Sequence, residues 1–356
     1  MIASSQLAVV IAAGGTAGHV RPALAVAEAL RARGVSVTFA GSPDRVESRL
    51  VPEAGFELDT FAISGLPRTP SPALVRALWR AAAAPLACTR ILRRRRPDVV
   101  LGGGGYVAGP MVLAARLQGI PAALTEADAH LGLANRLAAP FARRVFLAYE
   151  VEGRSGPKYA VVGRPIPQAH LGATRAQGRA RFGVPDGASV VAVFGALAGA
   201  RSLNEMAVEA WADAGPFVLH VSGERDFPAL RARVRRDGYV LMAQSGHFGE
   251  LLAAADIAVS RAGGTVWELA AAGVPSILVP YPHATADHQT LNAAHFERGG
   301  GAVAVPDSEI ARVPAIVDEL LADPTRRARM AEAMRAMARP DAADRIADEV
   351  IALARR

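Results

Sequence analysis

Ile257-Ala258-Val259-Ser260-Arg261-Ala262-Gly263-Gly264-Thr265-Val266-Trp267-Glu268 decides how this chain is read. A short strand-like run enters two glycines, and a helical pattern opens at Thr265 and continues to residue 272. Strand, glycine turn and helix start form the unit from which doubly wound α/β sheets are built. The first amides of such a helix lack partners and sit at the positive end of its dipole, which suits a phosphate. Glu268 lies one turn in, where a carboxylate accepts hydrogen bonds from sugar hydroxyls; a plain helix-start carboxylate is the ordinary alternative. Further on, Asp287-His288-Gln289-Thr290-Leu291-Asn292 enters another helix, with Gln289 and Asn292 on one face. Together these segments describe half of a nucleotide-sugar pocket.

The same alternation extends outward in both directions. In the second half, strands are expected at 190–194, 217–221, 240–243 and 276–279, and helices at 202–212, 248–255 and 289–298. The tail from 313 is helical, with breaks near Pro324 and Pro340. In the first half, strands are expected at 7–12, 35–40, 98–101, 122–125 and 144–146. Helices are expected at 22–33, 44–54, 73–95 and 109–118, the third broken at Pro85 because proline removes a backbone donor. A polar, Gly/Pro-bearing stretch at 150–158 reads as a linker. Two doubly wound domains place ligands at the C-terminal ends of their strands.

Composition supports a two-domain α/β chain. It has 356 residues, more than one ordinary core holds, and 51% hydrophobic content. The single cysteine, Cys88, excludes a disulfide framework. No Lys or Arg precedes Arg21, so the apolar start reads as a buried strand and not as a signal peptide. No uncharged apolar run reaches the roughly 18–20 residues that a spanning helix needs. Residues 1–163 carry 19 basic and 11 acidic side chains, and the remainder 21 and 22. No acid lies between Asp59 and Asp98, an interval holding Arg68, Arg76, Arg80, Arg90 and the run Arg93-Arg94-Arg95-Arg96. These arginines are interleaved with Leu66, Leu74, Leu78, Trp79 and Leu86, as on a helix lying in an anionic membrane interface. A core-facing stripe with a solvated basic face is the competing reading. Nucleic acid is not expected as a partner, because no base-reading motif accompanies the charge.

Three loops of the first half carry candidate chemistry. Gly14-Gly15-Thr16-Ala17-Gly18-His19 follows the first strand, and His19 at its end can take a proton from a hydroxyl. A histidine merely capping the helix is the alternative. Gly102-Gly103-Gly104-Gly105-Tyr106 follows another strand, and four glycines imply close approach by a ligand or a helix. Thr125-Glu126-Ala127-Asp128 offers two carboxylates at the end of a third. His283 and His288 lack the companions of a zinc spacing, so neither a metal nor another cofactor is expected.

These motifs, with Ile63-Ser64-Gly65-Leu66 and the 195–204 segment, resemble the MurG family of peptidoglycan N-acetylglucosaminyltransferases, glycosyltransferase family 28. The likeness runs over essentially the whole chain. It implies a GT-B fold, two Rossmann-like domains facing across a cleft. The expected domains are residues 1–162 for the acceptor and membrane, rejoined by the last helix, 341–356, and 163–340 for the donor. The implied reaction transfers GlcNAc from UDP-GlcNAc to the C4 hydroxyl of lipid I with inversion, giving lipid II. The implied location is peripheral, on the cytoplasmic face of the bacterial membrane, among other cell-wall synthesis proteins.

By the same resemblance His19 is the candidate base, and Thr16, Ala17 and Gly18 approach the transferred sugar or the acceptor phosphate. Gly263, Gly264, Thr265 and Val266 meet the diphosphate, Glu268 the ribose, and His288, Gln289 and Asn292 the GlcNAc. Asp128 and Arg164 are placed with the donor set; Gly104, Tyr106 and Glu126 with the acceptor. Arg76, Trp79, Arg80 and Arg93 to Arg96 are placed at the membrane. The chain departs from the family pattern at Ala196-Leu197, where a serine is usual, and at Gly163-Arg164-Pro165-Ile166-Pro167, where the usual arginine is displaced. It also departs at Gln244-Ser245, which stand where the uracil pocket usually has an aromatic-aliphatic pair, and at Asp128. Alternatives are a divergent family-28 transferase with another nucleotide sugar or acceptor, and a non-catalytic membrane scaffold. An epimerase of the same fold would leave the basic-apolar stripe unexplained.

Overall fold

The computed structural model describes residues 6–65, 69, 71–195 and 199–355. Leu66, Arg68, Ala196 and Leu197 lie outside the described residues, as do the side chains of Leu74 and Leu78. Contacts divide the chain into two compact units, Met1–Pro167 with Pro340–Arg356, and Gln168–Arg339.

In the first unit seven parallel strands are β1 (Ala8–Ala12), β2 (Ser36–Gly41), β3 (Glu57–Thr60), β4 (Val99–Gly102), β5 (Ala122–Glu126), β6 (Arg144–Leu147) and β7 (Tyr159–Val161). Their order is β3-β2-β1-β4-β5-β6-β7. The helices α1 (Ala17–Ala32), α2 (Glu47–Glu53), α3 (Pro72–Arg95), α4 (Ala108–Leu117) and α5 (Leu133–Ala138) make the connections. The order reverses between β1 and β4, which brings the loops after these two strands together.

The second unit repeats the plan with β8 (Val190–Phe194), β9 (Phe217–Val221), β10 (Tyr239–Met242), β11 (Ile257–Ser260), β12 (Ser276–Leu278) and β13 (Ala302–Ala304). Their order is β10-β9-β8-β11-β12-β13, so the reversal lies between β8 and β11. Its helices are α6 (Arg175–Arg181), α7 (Arg201–Trp211), α8 (Phe227–Arg231), α9 (Phe248–Ala254), α10 (Val266–Ala272), α11 (His288–Arg298), α12 (Val313–Ala322) and α13 (Pro324–Met337). The chain then returns to the first unit as α14 (Ala342–Ala354).

Strand alternation explains the layers. Val10 and Ala12 face Cys88, Ile91, Met111 and Val112 of α3 and α4, whereas Val9 and Ile11 face Val20, Val26 and Leu30 of α1. Ile346, Ala347 and Val350 of α14 complete this second layer. Ion pairs from Arg33 to Asp344 and Asp348, and from Arg144 to Glu349, border the seam.

Several expectations are corrected. α3 runs unbroken through Pro85. Burial of Ala84, Cys88, Ile91 and Leu92 on the sheet offsets the roughly 3 kcal/mol that an interior proline costs. α1 begins at Ala17, well before the expected residue 22, so His19 stands in its first turn. Pro22 lies inside α1, and the Gly18 carbonyl that its missing N–H leaves without a partner accepts Arg164 Nη2 at 2.6 Å. β3, β7 and β13 were not anticipated; β3, at the sheet edge, reads Glu-Leu-Asp-Thr and lacks the apolar signal of a central strand. The seam between units falls at 167/168, a few residues past the expected one.

Ile346 is fully buried under the first sheet. Ile346→Ala should destabilise the protein by about 2–5 kcal/mol in urea unfolding; an unchanged midpoint would show that α14 does not contribute to this core.

Candidate functional site

In the first unit the loops after β1, β4 and β5 converge on His19. The β4 loop reaches it only because it lacks side chains. A Cβ on Gly104 would lie 2.6 Å from His19 Cδ2, and one on Gly105 would lie 2.2 Å from the Gly14 carbonyl oxygen. Both glycines have positive φ, +100° and +76°, which other residues rarely adopt. His19 Nδ1 lies 3.1 Å from Thr16 Oγ1, and the ring also bonds to the Gly14 carbonyl. Partial burial lowers the imidazole pKa below its ordinary 6.5, with Arg164 acting in the same direction. Asp128, Glu126 and the Gly14 carbonyl oppose the shift without reversing it. The net effect favours a neutral ring able to accept a proton.

Other charged groups in this unit hold loops in place. Glu47, fully buried, accepts the Gly15 amide at 3.0 Å, the Ser42 amide at 3.0 Å and the Ser42 hydroxyl. Ser42 Oγ also lies 3.3 Å from the Tyr106 hydroxyl. Glu126 accepts from the amides of Ala127, Asp128 and Gly132 and from Asn135 Nδ2 at 2.9 Å. Its carboxylate therefore braces the β5 loop. Arg164, expected with the donor set, belongs to the first unit and donates to the Gly18 carbonyl at 2.6 Å and the Ala127 carbonyl at 3.2 Å. It ties the His19 loop to the Asp128 loop. Glu47, Asn135 and this role of Arg164 were not foreseen, since their partners are distant in sequence.

Of the expected membrane residues, Arg76, Trp79 and Arg80 are exposed on α3, with Trp79 at 74%. Arg94 and Arg95 instead pair with Asp59 of β3, and Arg95 also with Glu57. Half of the Arg93–Arg96 run thus fastens the helix to the sheet edge.

In the second unit the β11 loop carries Gly263, Gly264 and Thr265 into α10, and Arg261 braces it from beneath. The buried guanidinium of Arg261 donates to the Val279 and Pro280 carbonyls, to Asp307 Oδ1 at 2.7 Å and to Ser202 Oγ at 2.6 Å. Asn292, also fully buried, donates to the Ala262 carbonyl at 3.0 Å and so fixes the loop. Gln289 Oε1 accepts the Tyr281 amide at 2.9 Å, and its Nε2 faces Gly263. His288 contacts its own turn through the Thr285 carbonyl. Ala286 and Asp287 both hold positive φ just before α11. Glu268 Oε1 lies 2.7 Å from His170 Nδ1, a partner the sequence did not suggest. Phe248, at the start of α9, packs 5.3 Å from His170. The aromatic ring of this corner is therefore Phe248; Gln244, beyond the end of β10, donates to Glu224.

Beneath the β8 loop lies a buried chain of polar groups. A Cβ on Gly199 would meet the Ser222 carbonyl at 2.2 Å, and Asn204 Nδ2 donates to that carbonyl. Asn204 Oδ1 lies 3.0 Å from His220 Nε2, and His220 Nδ1 lies 2.8 Å from the Tyr239 hydroxyl. The imidazole donates at Nε2 and accepts at Nδ1, as only its neutral form can. Among the described residues no cluster of three or more His, Cys, Asp or Glu could hold a metal ion.

Two family models match the chain: the glycosyltransferase family 28 N-terminal domain over residues 9–147 and the glycosyltransferase family 28 C-terminal domain over residues 190–346. The chain belongs to glycosyltransferase family 28. Proteins named UDP-N-acetylglucosamine–N-acetylmuramyl-(pentapeptide) pyrophosphoryl-undecaprenol N-acetylglucosamine transferase resemble it over nearly their full length. That of Halorhodospira halophila is 42% identical, covering 95% of this chain and 96% of its own. That of Salinibacter ruber is 39% identical, covering 98% and 97%. The crystal structure of Acinetobacter baumannii MurG, at 28% identity, covers 97% of this chain and 99% of its own with a TM-score of 0.78. The family-28 fold is accordingly GT-B, built of the two doubly wound units described above.

Burial lowers the His220 pKa from 6.5 to about 4. The unfolded chain therefore binds a proton that the folded chain refuses between these values. Stability from this group is complete above pH 6.5 and is lost as pH falls toward 4, by up to about 1.4 kcal/mol per pH unit. His220→Gln should flatten this part of the stability profile in urea titrations at pH 4.5, 5.5 and 7. Equal slopes for variant and wild type would contradict the assignment.

Proposed function

We infer that this family-28 protein transfers N-acetylglucosamine from UDP-N-acetylglucosamine to the C4 hydroxyl of undecaprenyl-diphospho-MurNAc-pentapeptide, lipid I, giving lipid II. The relatives named for this reaction, alike along their whole length, support it. The observation within the molecule that carries it is His19, a half-buried imidazole at a helix start with its pKa lowered, bracketed by three loops.

The chemistry divides between the units. With Nδ1 held by Thr16, His19 Nε2 takes the proton of the C4 hydroxyl. The oxygen attacks the anomeric carbon of GlcNAc, the bond to the diphosphate breaks, and configuration inverts. Charge leaves on UDP, where the amides of Gly263, Gly264 and Thr265 and the α10 dipole stabilise it. Glu268 accepts from the ribose hydroxyls, and Gln289 presents Nε2 to the sugar. Asn292, held to the Ala262 carbonyl, serves by keeping the loop in place.

The protein works at the cytoplasmic face of the membrane as a peripheral enzyme. No helix among the described residues is long and apolar enough to cross a bilayer. Val75, Trp79 and Leu86 instead line the exposed face of α3 beside Arg76, Arg80, Arg90 and Arg93. An apolar stripe bordered by arginines suits an anionic lipid surface.

His19→Ala should lower kcat by roughly 10²- to 10⁴-fold with a short-chain lipid I analogue. In the wild type the acid limb of the kcat/KM profile should fall below pH 6.5, as the lowered pKa requires. An unchanged rate, or a limb above that value, would remove His19 as the base. The double variant Arg76→Ala/Arg80→Ala should weaken partition onto anionic vesicles by about thirtyfold, at about 1 kcal/mol per arginine. It should leave turnover of a soluble acceptor unaltered; unchanged partition would refute this membrane face.

A further inference from the structure

His170 stands in the short turn Gln168–His170, which opens the second unit. Its Nδ1 lies 2.7 Å from Glu268 Oε1, and the two side chains are 16% and 12% exposed. An ionised carboxylate only accepts, so Nδ1 carries the hydrogen and donates. Two further contacts hold the residue. The ring packs 5.3 Å from Phe248, itself edge-on to Phe194 at 5.1 Å. Its backbone presses on α9 at Gly249, where a Cβ would come within 2.9 Å of His170 Cα and carbonyl oxygen. Any larger residue at 249 would push the turn away and withdraw the imidazole from Glu268.

We propose that His170 is a positioning residue for nucleotide recognition. It pins Oε1 of Glu268 and thereby fixes the direction in which Oε2 meets the vicinal hydroxyls of a ribose. The inference rests on the reading of Glu268 as the ribose-binding group. A carboxylate without this restraint rotates, and a hydroxyl bound to it gains less from the contact. The donor's ribose, not its diphosphate or base, is therefore the part of the ligand that depends on His170.

Calorimetry on the full chain with UDP and 2′-deoxy-UDP tests this directly. The wild type should prefer UDP by about tenfold, a charge-assisted hydrogen bond's contribution. His170→Ala should reduce that preference to within about twofold while binding 2′-deoxy-UDP as the wild type does. His170→Asn, which keeps one N–H donor, should restore part of the preference. A full preference retained by His170→Ala would overturn the proposal. So would equal weakening of both nucleotides in the alanine and asparagine variants, the mark of a merely structural role. A wild type that does not distinguish the two nucleotides would instead overturn the ribose assignment of Glu268 itself.

Discussion

Backbone approaching where no Cβ can fit is the constraint on which both units depend. Gly104 and Gly105 bring one loop against the His19 ring and the Gly14 carbonyl. In the second unit Gly199 does the same against the Ser222 carbonyl. The first contact lies at the reversal in strand order between β1 and β4, and the second joins the loops after the neighbouring strands β8 and β9. The glycines cost chain entropy and give no packing of their own, but they let polar backbone and an imidazole share a small volume.

Around these contacts, buried charge serves mainly as scaffolding. Glu47 and Glu126 spend their carboxylates on loop amides, Arg164 on two loop carbonyls, and Arg261 on carbonyls, Asp307 and Ser202. Each satisfies donors or acceptors that would otherwise be stranded where the loops leave the sheet. His19 and Glu268 differ in role: Thr16 holds the first through Nδ1, and His170 holds the second through Oε1. A rigid frame with a few side chains held at one end is how a transferase orients reacting groups without reorganising during the step.

The departures from the family pattern acquire different meanings in this frame. Arg164 joins the His19 and Asp128 loops and contributes to keeping the imidazole neutral. Gln244 and Ser245 supply no ring, and Phe248 is the aromatic side chain that packs on the histidine that holds Glu268. The arginine run that ends α3 divides: Arg94 and Arg95 anchor the helix to β3, and the stripe nearer Trp79 stays exposed.

The sequence by itself determined the doubly wound class, most strands, the glycine loops and the candidate residues His19, Glu268 and Gln289. Those signals are local: apolar runs of strand length, glycines directly after them, and polar residues at the helix starts that follow. Only the tertiary structure decided which polar groups meet. Glu47 reaches Gly15, Asn135 reaches Glu126, and His170 reaches Glu268 across long stretches of chain. Helix α3 persisted through Pro85, and the edge strand β3 formed without an apolar pattern, because packing on the sheet outweighed local preference. A hydrogen bond between distant residues leaves no periodic trace in either segment, so the partners of the site became visible only once the sheets had placed them side by side.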